Sequence, residues 1–290
     1  MNDQAKGLLF TTLGVLFVVP DSLFVRLIEA DPLATAFWRG ASSGTIILIG
    51  LLLFGGAKGF RAVYATGWPA VIYTLLVAAT TVGFVKAVTQ TSVANVVFIF
   101  ASTPVFAAVF SRIFLGEPIR RRMVLTMAVV LFGLGIIAYG SGESEISSWQ
   151  GDAWALFVAA SYAAALTAVR KIKDVSMIPA IPVAYIGAAL LISPFTTPLA
   201  PVADQWHLLL GHGFFIAVAT CFLTLGPRYI SSAEVSLLIL LESVLAPILV
   251  WVVIGEDPGQ LAIVGGVIVI GALLVSNAVA LRRRARASHQ

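Results

Sequence analysis

Charged residues are scarce in this chain. Only 11% of its 290 residues are Asp, Glu, Lys or Arg, whereas about 25% of the residues of an average soluble domain are charged. Hydrophobic residues make up 59% and the mean hydropathy is +0.99. A soluble fold could not bury this much apolar surface, so we expect the chain to lie in the lipid bilayer. Its 290 residues leave no room for a separate soluble domain.

Cysteine and enzyme motifs are also nearly absent. The single cysteine, Cys221, excludes an internal disulfide and a cysteine metal cluster. His207 and His212 face different sides of one helix, which disfavours a two-histidine metal site. No metalloprotease, serine hydrolase or phosphate-loop signature occurs. The glycines at 133 and 135 imitate a dinucleotide fingerprint but lie in an apolar run with no preceding strand. We therefore expect that the protein is not an enzyme and that it binds no cofactor or metal.

The apolar runs predict an all-helical membrane protein with ten spans of about 20 residues each. Their approximate bounds are 6–27, 33–55, 68–87, 92–114, 121–140, 150–170, 178–198, 206–226, 232–254 and 258–281.

Lysine and arginine are distributed unevenly between the two ends of these spans. Fifteen of the eighteen fall on one side when the N-terminus is placed in the cytoplasm. We therefore predict a multi-pass protein of the inner (plasma) membrane with both termini cytoplasmic. The loops 143–148 and 201–205 are predicted to be external. Because the basic residues are dispersed at helix ends, the net charge of +4 does not indicate nucleic-acid binding.

The chain contains an internal repeat. Residues 94–117 align without a gap on 233–256, with six identical positions that include Gly-Glu at both ends. A weaker match pairs 25–28 with 169–172. Because each unit has five spans, the second unit inserts upside down, and we divide the chain into halves at 1–145 and 146–290. Inverted repeats are typical of secondary transporters, which hold substrate near the midplane, although a scaffold could be built in the same way.

Three segments resemble the EamA-type drug/metabolite transporter superfamily. They are Ser102–Pro118, Glu242–Glu256 and Pro32–Arg39. The resemblance implies ten helices and export or exchange of small metabolites, often amino acids, and it is greatest for the aromatic amino acid exporter branch. It also implies cavity walls mainly from spans 1, 3, 4, 6, 8 and 9. The sequence departs from the family pattern at Arg112 and Ser243.

Ionisable groups inside a span are costly and therefore functional candidates. Three lie clearly inside. Asp21 and Arg39 have similar depths, about 9–10 Å from the outer boundary, and could form a structural ion pair or bind a substrate's charged groups. Glu242 lies near the midplane, where it could carry a proton or form a hydrogen bond to a neighbouring helix. Asp21 is a second candidate for proton coupling, and no interior histidine is expected to substitute for these carboxylates.

Further candidates for substrate binding are mid-span aromatics and polar groups near the outer mouth. For each aromatic, helix packing is the alternative role. These residues are Trp38, Tyr73, Phe98, Trp154, Tyr162, Tyr185, Lys86 and Asn95.

Two deep acids beside one deep base suit a zwitterion or a cation, whereas a phosphorylated solute would need several cationic donors. The sequence therefore predicts a carrier for small amino acids or related metabolites. Its partners would be the substrate, the bilayer and, if transport is coupled, protons. A membrane-embedded enzyme and a non-transporting scaffold are the competing classes.

Overall fold

The computed structural model describes residues 3–54, 58–116, 119, 121–141, 147–170, 172, 175–225, 229 and 232–287, and over these residues it contains helices and no strand. The helices are α1 Asp3–Val18, α2 Asp21–Leu27, α3 Pro32–Phe54, α4 Lys58–Tyr64, α5 Trp68–Gln90, α6 Val93–Phe100, α7 Thr103–Leu115, α8 Arg121–Ser141, α9 Trp149–Arg170, α10 Ala180–Ile192, α11 Val202–Leu225, α12 Ser232–Ile254 and α13 Gln260–Ala287. A 3-10 turn, Ser193–Phe195, follows α10.

Several sequence predictions fall outside the described residues. They concern the external segment 143–146, the repeat residue Glu117, the resemblance residue Pro118, the charges Arg120, Lys171, Lys173 and Arg228, and the terminal residues 1–2 and 288–290.

Six helical stretches of the described chain are long and apolar enough to cross a membrane. They are Ala5–Leu27, Pro32–Phe54, Trp68–Gln90, Val93–Leu115, Met123–Gly140 and Val202–Leu225. Three further apolar helices are shorter, at Ala180–Phe195, Leu241–Ile254 and Gln260–Ser276. The fold is therefore helical with many apolar helices, and the count of ten spans stays a prediction.

Two of the long stretches are interrupted at proline. α1 gives way to α2 at Pro20, and α6 gives way to α7 two residues before Pro104. Proline has no N–H and cannot bond to the carbonyl four residues before it. At the second break the Thr103 hydroxyl donates to the freed Phe100 carbonyl at 2.6 Å. These breaks place Asp21 and Thr103 at the starts of new helices.

Helix packing follows a paired pattern across the two predicted halves. The contact of α5 with α9 has its counterpart in α1 with α11, and α7 with α9 is matched by α1 with α12. The pairs α3 with α10, α8 with α13 and α6 with α12 each join a helix to its own repeat mate. Two halves related by a twofold axis would produce this pattern.

Glycine permits close approach in two of these helix pairs. A Cβ on Gly133 would lie 3.0 Å from the Gly265 carbonyl oxygen, and one on Gly265 would lie 2.7 Å from the Gly133 carbonyl oxygen. Gly133 thus serves the α8–α13 contact. A Cβ on Gly40 would lie 2.6 Å from the Tyr185 carbonyl oxygen, so α3 and α10 are also in close contact.

Candidate functional site

A cavity of about 130 Å³ lies in the interior and is lined by residues of both halves. α1, α2, α3, α5 and α6 contribute from the first half, and α9, α10, α11 and α12 from the second. The family resemblance implied main walls from spans 1, 3, 4, 6, 8 and 9. Arg39 and Tyr185, however, come from α3 and α10, which correspond to spans 2 and 7. Its polar lining residues are Asp21, Arg39, Tyr73, Thr80, Tyr162, Tyr185, Thr220, Thr224 and Glu242.

Asp21 and Arg39 form a buried, two-pronged ion pair. Arg39 Nε donates to Asp21 Oδ1 at 3.0 Å and Nη2 donates to Oδ2 at 2.6 Å. The two residues are 2% and 8% exposed. The guanidinium carbon also lies 5.2 Å from the centre of the Phe84 ring, which adds a cation–π contact. Since each charge cancels the other, the pair can exist away from water.

His212 is the third member of this cluster. Its Nε2 lies 2.6 Å from Asp21 Oδ1, and its ring stacks on Phe24 with centroids 5.5 Å apart. The residue is 1% exposed, and its Nδ1 has no partner in the described part of the chain. From the sequence, His212 was considered only for a metal site, and no interior histidine was expected to substitute for the carboxylates in proton coupling. Its buried contact with Asp21 was not predicted. Leu209, His212 and Ile216 share one buried face of α11, and this helical spacing could have revealed it.

Glu242 lies on α12 and lines the cavity. It is 8% exposed and makes no hydrogen bond or ion pair within the described residues. Its neighbour Ser243 points elsewhere and donates to the Val97 carbonyl of α6 at 3.2 Å. Thr103, the repeat mate of Glu242, donates its hydroxyl hydrogen to the Phe100 carbonyl three residues before it. Of these two repeat-related positions, only that of Glu242 therefore carries an acidic group.

Three tyrosines form much of the remaining wall. Tyr73, Tyr162 and Tyr185 all line the cavity. The hydroxyls of Tyr185 and Thr220 are 3.2 Å apart, which joins α10 to α11. Tyr162 packs on Phe100 with ring centroids 5.5 Å apart. The wall is thus aromatic with hydroxyl groups, a lining suited to an amphipathic organic solute.

Six of the eleven residues proposed from the sequence therefore line one cavity, and five lie elsewhere. Trp38 donates its indole N–H to the Pro198 carbonyl at 2.6 Å. Phe98 packs in the interior against α13, where a Cβ on Gly266 would lie 2.5 Å from its ring. Trp154 is 36% exposed and packs edge-on against Phe157. The substrate-binding roles predicted for these three residues have no support from the cavity geometry.

Asn95 and Lys86 also lie away from the cavity lining. The Asn95 side chain donates to Thr91 Oγ1 at 3.2 Å and to Asp152 Oδ1 at 3.1 Å. Lys86 is partly buried on α5. Asn95 is buried in a polar network that joins α6 to α9, so its side chain has a structural role here.

Two segments of the chain, residues 5–139 and 149–278, match the EamA-like transporter family. The chain belongs to this family. It is therefore a multi-pass membrane transporter with two repeats, and its family is a transporter family and not an enzymatic one.

A solved crystal structure of another protein shares the fold of this EamA-like transporter. The TM-score is 0.68 at 17% sequence identity, and the alignment covers 97% of this chain and 98% of that one. No curated protein matches the chain. At this identity the likeness concerns the fold alone.

Proposed function

We propose that this EamA-like transporter is a secondary carrier that binds a small amine-bearing metabolite in the central cavity and exports or exchanges it by alternating access. The observation that carries the proposal is the cavity itself. It is lined by residues of both family-matched segments, and all three interior ionisable residues of the sequence analysis, Asp21, Arg39 and Glu242, line it. A solute bound there would contact both halves.

The proposal includes ten spans in two inverted halves, 1–145 and 146–290. The paired helix contacts support this arrangement. So do Gly116 and Gly255, the glycines of the repeated Gly-Glu motif, because both have left-handed backbones with φ of +69° and +76°. The bias of Lys and Arg supports cytoplasmic termini in an inner membrane.

Amino acids are the first candidate substrates, and the aromatic ones fit the lining best. Their ammonium group would bind Glu242 and their ring would pack among Tyr73, Tyr162 and Tyr185. Aromatic rings attract cations and also stack on one another, so the same tyrosines could serve both parts of the solute. The carboxylate would approach Arg39.

A cationic metabolite is the second candidate, and one observation favours it. Nε and Nη2 of Arg39 already bind Asp21, so much of this guanidinium is engaged. Glu242, in contrast, has no hydrogen-bond partner in the described part of the protein. A cavity with a neutralised pair and one further carboxylate would attract a single positive charge.

Proton coupling is proposed at Glu242, with Asp21 as the second candidate. Asp21 is held by Arg39 and His212, so a proton would have to displace two existing contacts. A carboxylate without a partner can bind either a proton or an ammonium group. Competition between the two for Glu242 would link the movement of substrate to the movement of protons.

Flux into proteoliposomes tests the proposal and separates the candidates. The purified protein would be reconstituted and given radiolabelled phenylalanine or phenethylamine, which is phenylalanine without its carboxylate. Protein-dependent flux of either solute supports a carrier, and the preferred solute identifies the substrate class. Protein-free liposomes correct for passive diffusion of the amine.

A reduced flux in Glu242→Gln but not in Glu29→Gln would assign the flux to the cavity, because Glu29 is an exposed acid outside it. The absence of flux for both solutes and for a broad set of amino acids and amines, from a folded protein, would contradict the proposal and favour a scaffold.

A further inference from the structure

Arg26 and Glu256 form an ion pair at one end of the helices that enclose the cavity. Arg26 Nε lies 2.8 Å from Glu256 Oε2, and the two side chains are 19% and 8% exposed. The Nε–H is not aligned with the oxygen, so the contact is electrostatic and not a well-directed hydrogen bond. Arg26 follows Asp21 by five residues on α2, which is about 7.5 Å of helix rise.

Each member of the pair also binds the junction between α5 and α6. Arg26 Nη2 donates to the Thr91 carbonyl at 2.9 Å, and the Val93 N–H donates to Glu256 Oε1 at 2.7 Å. Val93 is the first residue of α6, where N–H groups lack partners within the helix and a negative charge is favourable. Two side chains therefore join α2, the α5–α6 junction and the end of α12.

The backbone around the pair is arranged for this contact. Gly255 directly follows α12 and has φ of +76°, a conformation that other residues adopt at a cost, so the chain leaves the helix just before Glu256. On the other side of the junction the Thr91 hydroxyl donates to Asp152 Oδ1 at 2.8 Å. Asp152 belongs to α9, so this helix is tied to the same point as α2, α5, α6 and α12.

We propose that Arg26 and Glu256 are a latch that closes this end of the transport pathway and separates when the cavity opens on that side. Alternating access requires contacts that exist in one state and break in the other. This pair joins helices that line the cavity, and its side chains come from both halves. The bias of Lys and Arg predicts that this end is external. The inference rests on the proposed transport by alternating access.

Thiol labelling of the cavity tests the latch. Thr80→Cys would be introduced in a Cys221→Ser background, because Thr80 lines the cavity and Cys221 is the only native cysteine. A membrane-impermeant maleimide would be added to the external side, and the labelling rate measured with and without Arg26→Gln or Glu256→Gln. We expect either change to raise the rate by about tenfold, the scale of coupling that a few contacts provide.

Glu29→Gln is the matched control, since it removes an exposed acid of the same end without touching the pair. A rise confined to the two latch variants supports the proposal. Unchanged rates in both folded variants, or an equal rise in Glu29→Gln, would overturn it. If the glutamine variants do not fold, Arg26→Lys replaces them. Lysine keeps the charge but carries its N–H donors on a single nitrogen. We therefore expect an intermediate rise in the labelling rate, and an unchanged rate would contradict the latch.

Labelling needs no substrate, so its outcome is separate from that of the flux experiment. A protein that carries no tested solute but shows the expected labelling would retain the latch and lose the proposed substrate class. A protein that carries solute with unchanged labelling would lose only the latch.

Discussion

Arg39 donates two parallel hydrogen bonds to Asp21 across the interface of α3 and α2, from Nε to Oδ1 at 3.0 Å and from Nη2 to Oδ2 at 2.6 Å. The planar fork of a guanidinium matches a carboxylate in this geometry, which lysine could not reproduce. Asp21 Oδ1 also contacts His212 of α11, so one carboxylate joins three helices and both halves of the molecule. The cluster therefore has a structural role as well as a place in the cavity wall.

Loss of the arginine should destabilise the protein. Arg39→Ala would leave Asp21 as a buried charge with one partner fewer, and breaking a buried pair in this way costs roughly 3–5 kcal/mol. Arg61→Ala is the matched control because Arg61 is exposed. Thermal unfolding in detergent compares the two variants. Equal and small effects would show that Arg39 does not lie in the interior.

The histidine should matter because of its contact with Asp21. His212→Ala removes that partner from a buried carboxylate and opens space beside Phe24, and we expect a loss of about 1–3 kcal/mol. His207→Ala changes an exposed histidine one and a half turns earlier on the same helix and should be nearly neutral. The unfolding temperatures of the two variants are the readout. A larger loss in His207→Ala would contradict the placement of His212.

A glycine at the contact of α3 with α11 should not tolerate a methyl group. A Cβ on Gly213 would clash with the Ser42 side chain and lie 3.0 Å from the Ser43 backbone nitrogen. Overpacking of this kind costs roughly 1–3 kcal/mol, and more where backbones must separate. Gly187→Ala is the control because its Cβ would meet nothing within 4 Å, and alanine is the better helix former. Destabilisation by Gly187→Ala and not by Gly213→Ala would show that the helices pack differently.

The sequence identified the interior charges because an ionisable residue in an apolar run is conspicuous. Asp21, Arg39 and Glu242 all line the cavity, as do the three mid-span tyrosines. The Asp21–Arg39 ion pair was one of two alternatives and is present in the structure. The membership of a transporter family with two repeats was also predictable, from the repeat and from the resemblance.

The sequence could not show which face of a helix an aromatic residue occupies. In the sequence, the tyrosines cannot be told apart from three other mid-span aromatic residues, Trp38, Phe98 and Trp154. Tertiary packing directs these three to a loop carbonyl, to α13 and to Phe157, respectively. His212 was not proposed as a site residue, because the sequence does not show which residue it contacts. Its role depends on Asp21, which lies 191 residues away in sequence. Contacts over such distances follow from the packing of helices and not from local pattern.

The orientation prediction can be tested without any substrate. In a Cys221→Ser background, Ser144→Cys should react with an impermeant thiol reagent in intact cells, whereas Gln290→Cys should react only after permeabilisation. The reason is the bias of Lys and Arg toward one side. The opposite pattern would overturn both the topology and the identification of the Arg26–Glu256 end as external.

The central claim is that the cavity couples substrate to protons through Glu242, and accumulation driven by a pH gradient tests it most directly. Proteoliposomes with an imposed gradient would be given the substrate that the flux experiment identifies. Glu242→Gln keeps the size and hydrogen-bonding capacity of the side chain but cannot ionise, so we expect accumulation to be lost while exchange partly survives. Gradient-driven accumulation that persists in an Asp21→Asn/Glu242→Gln double variant would contradict the account.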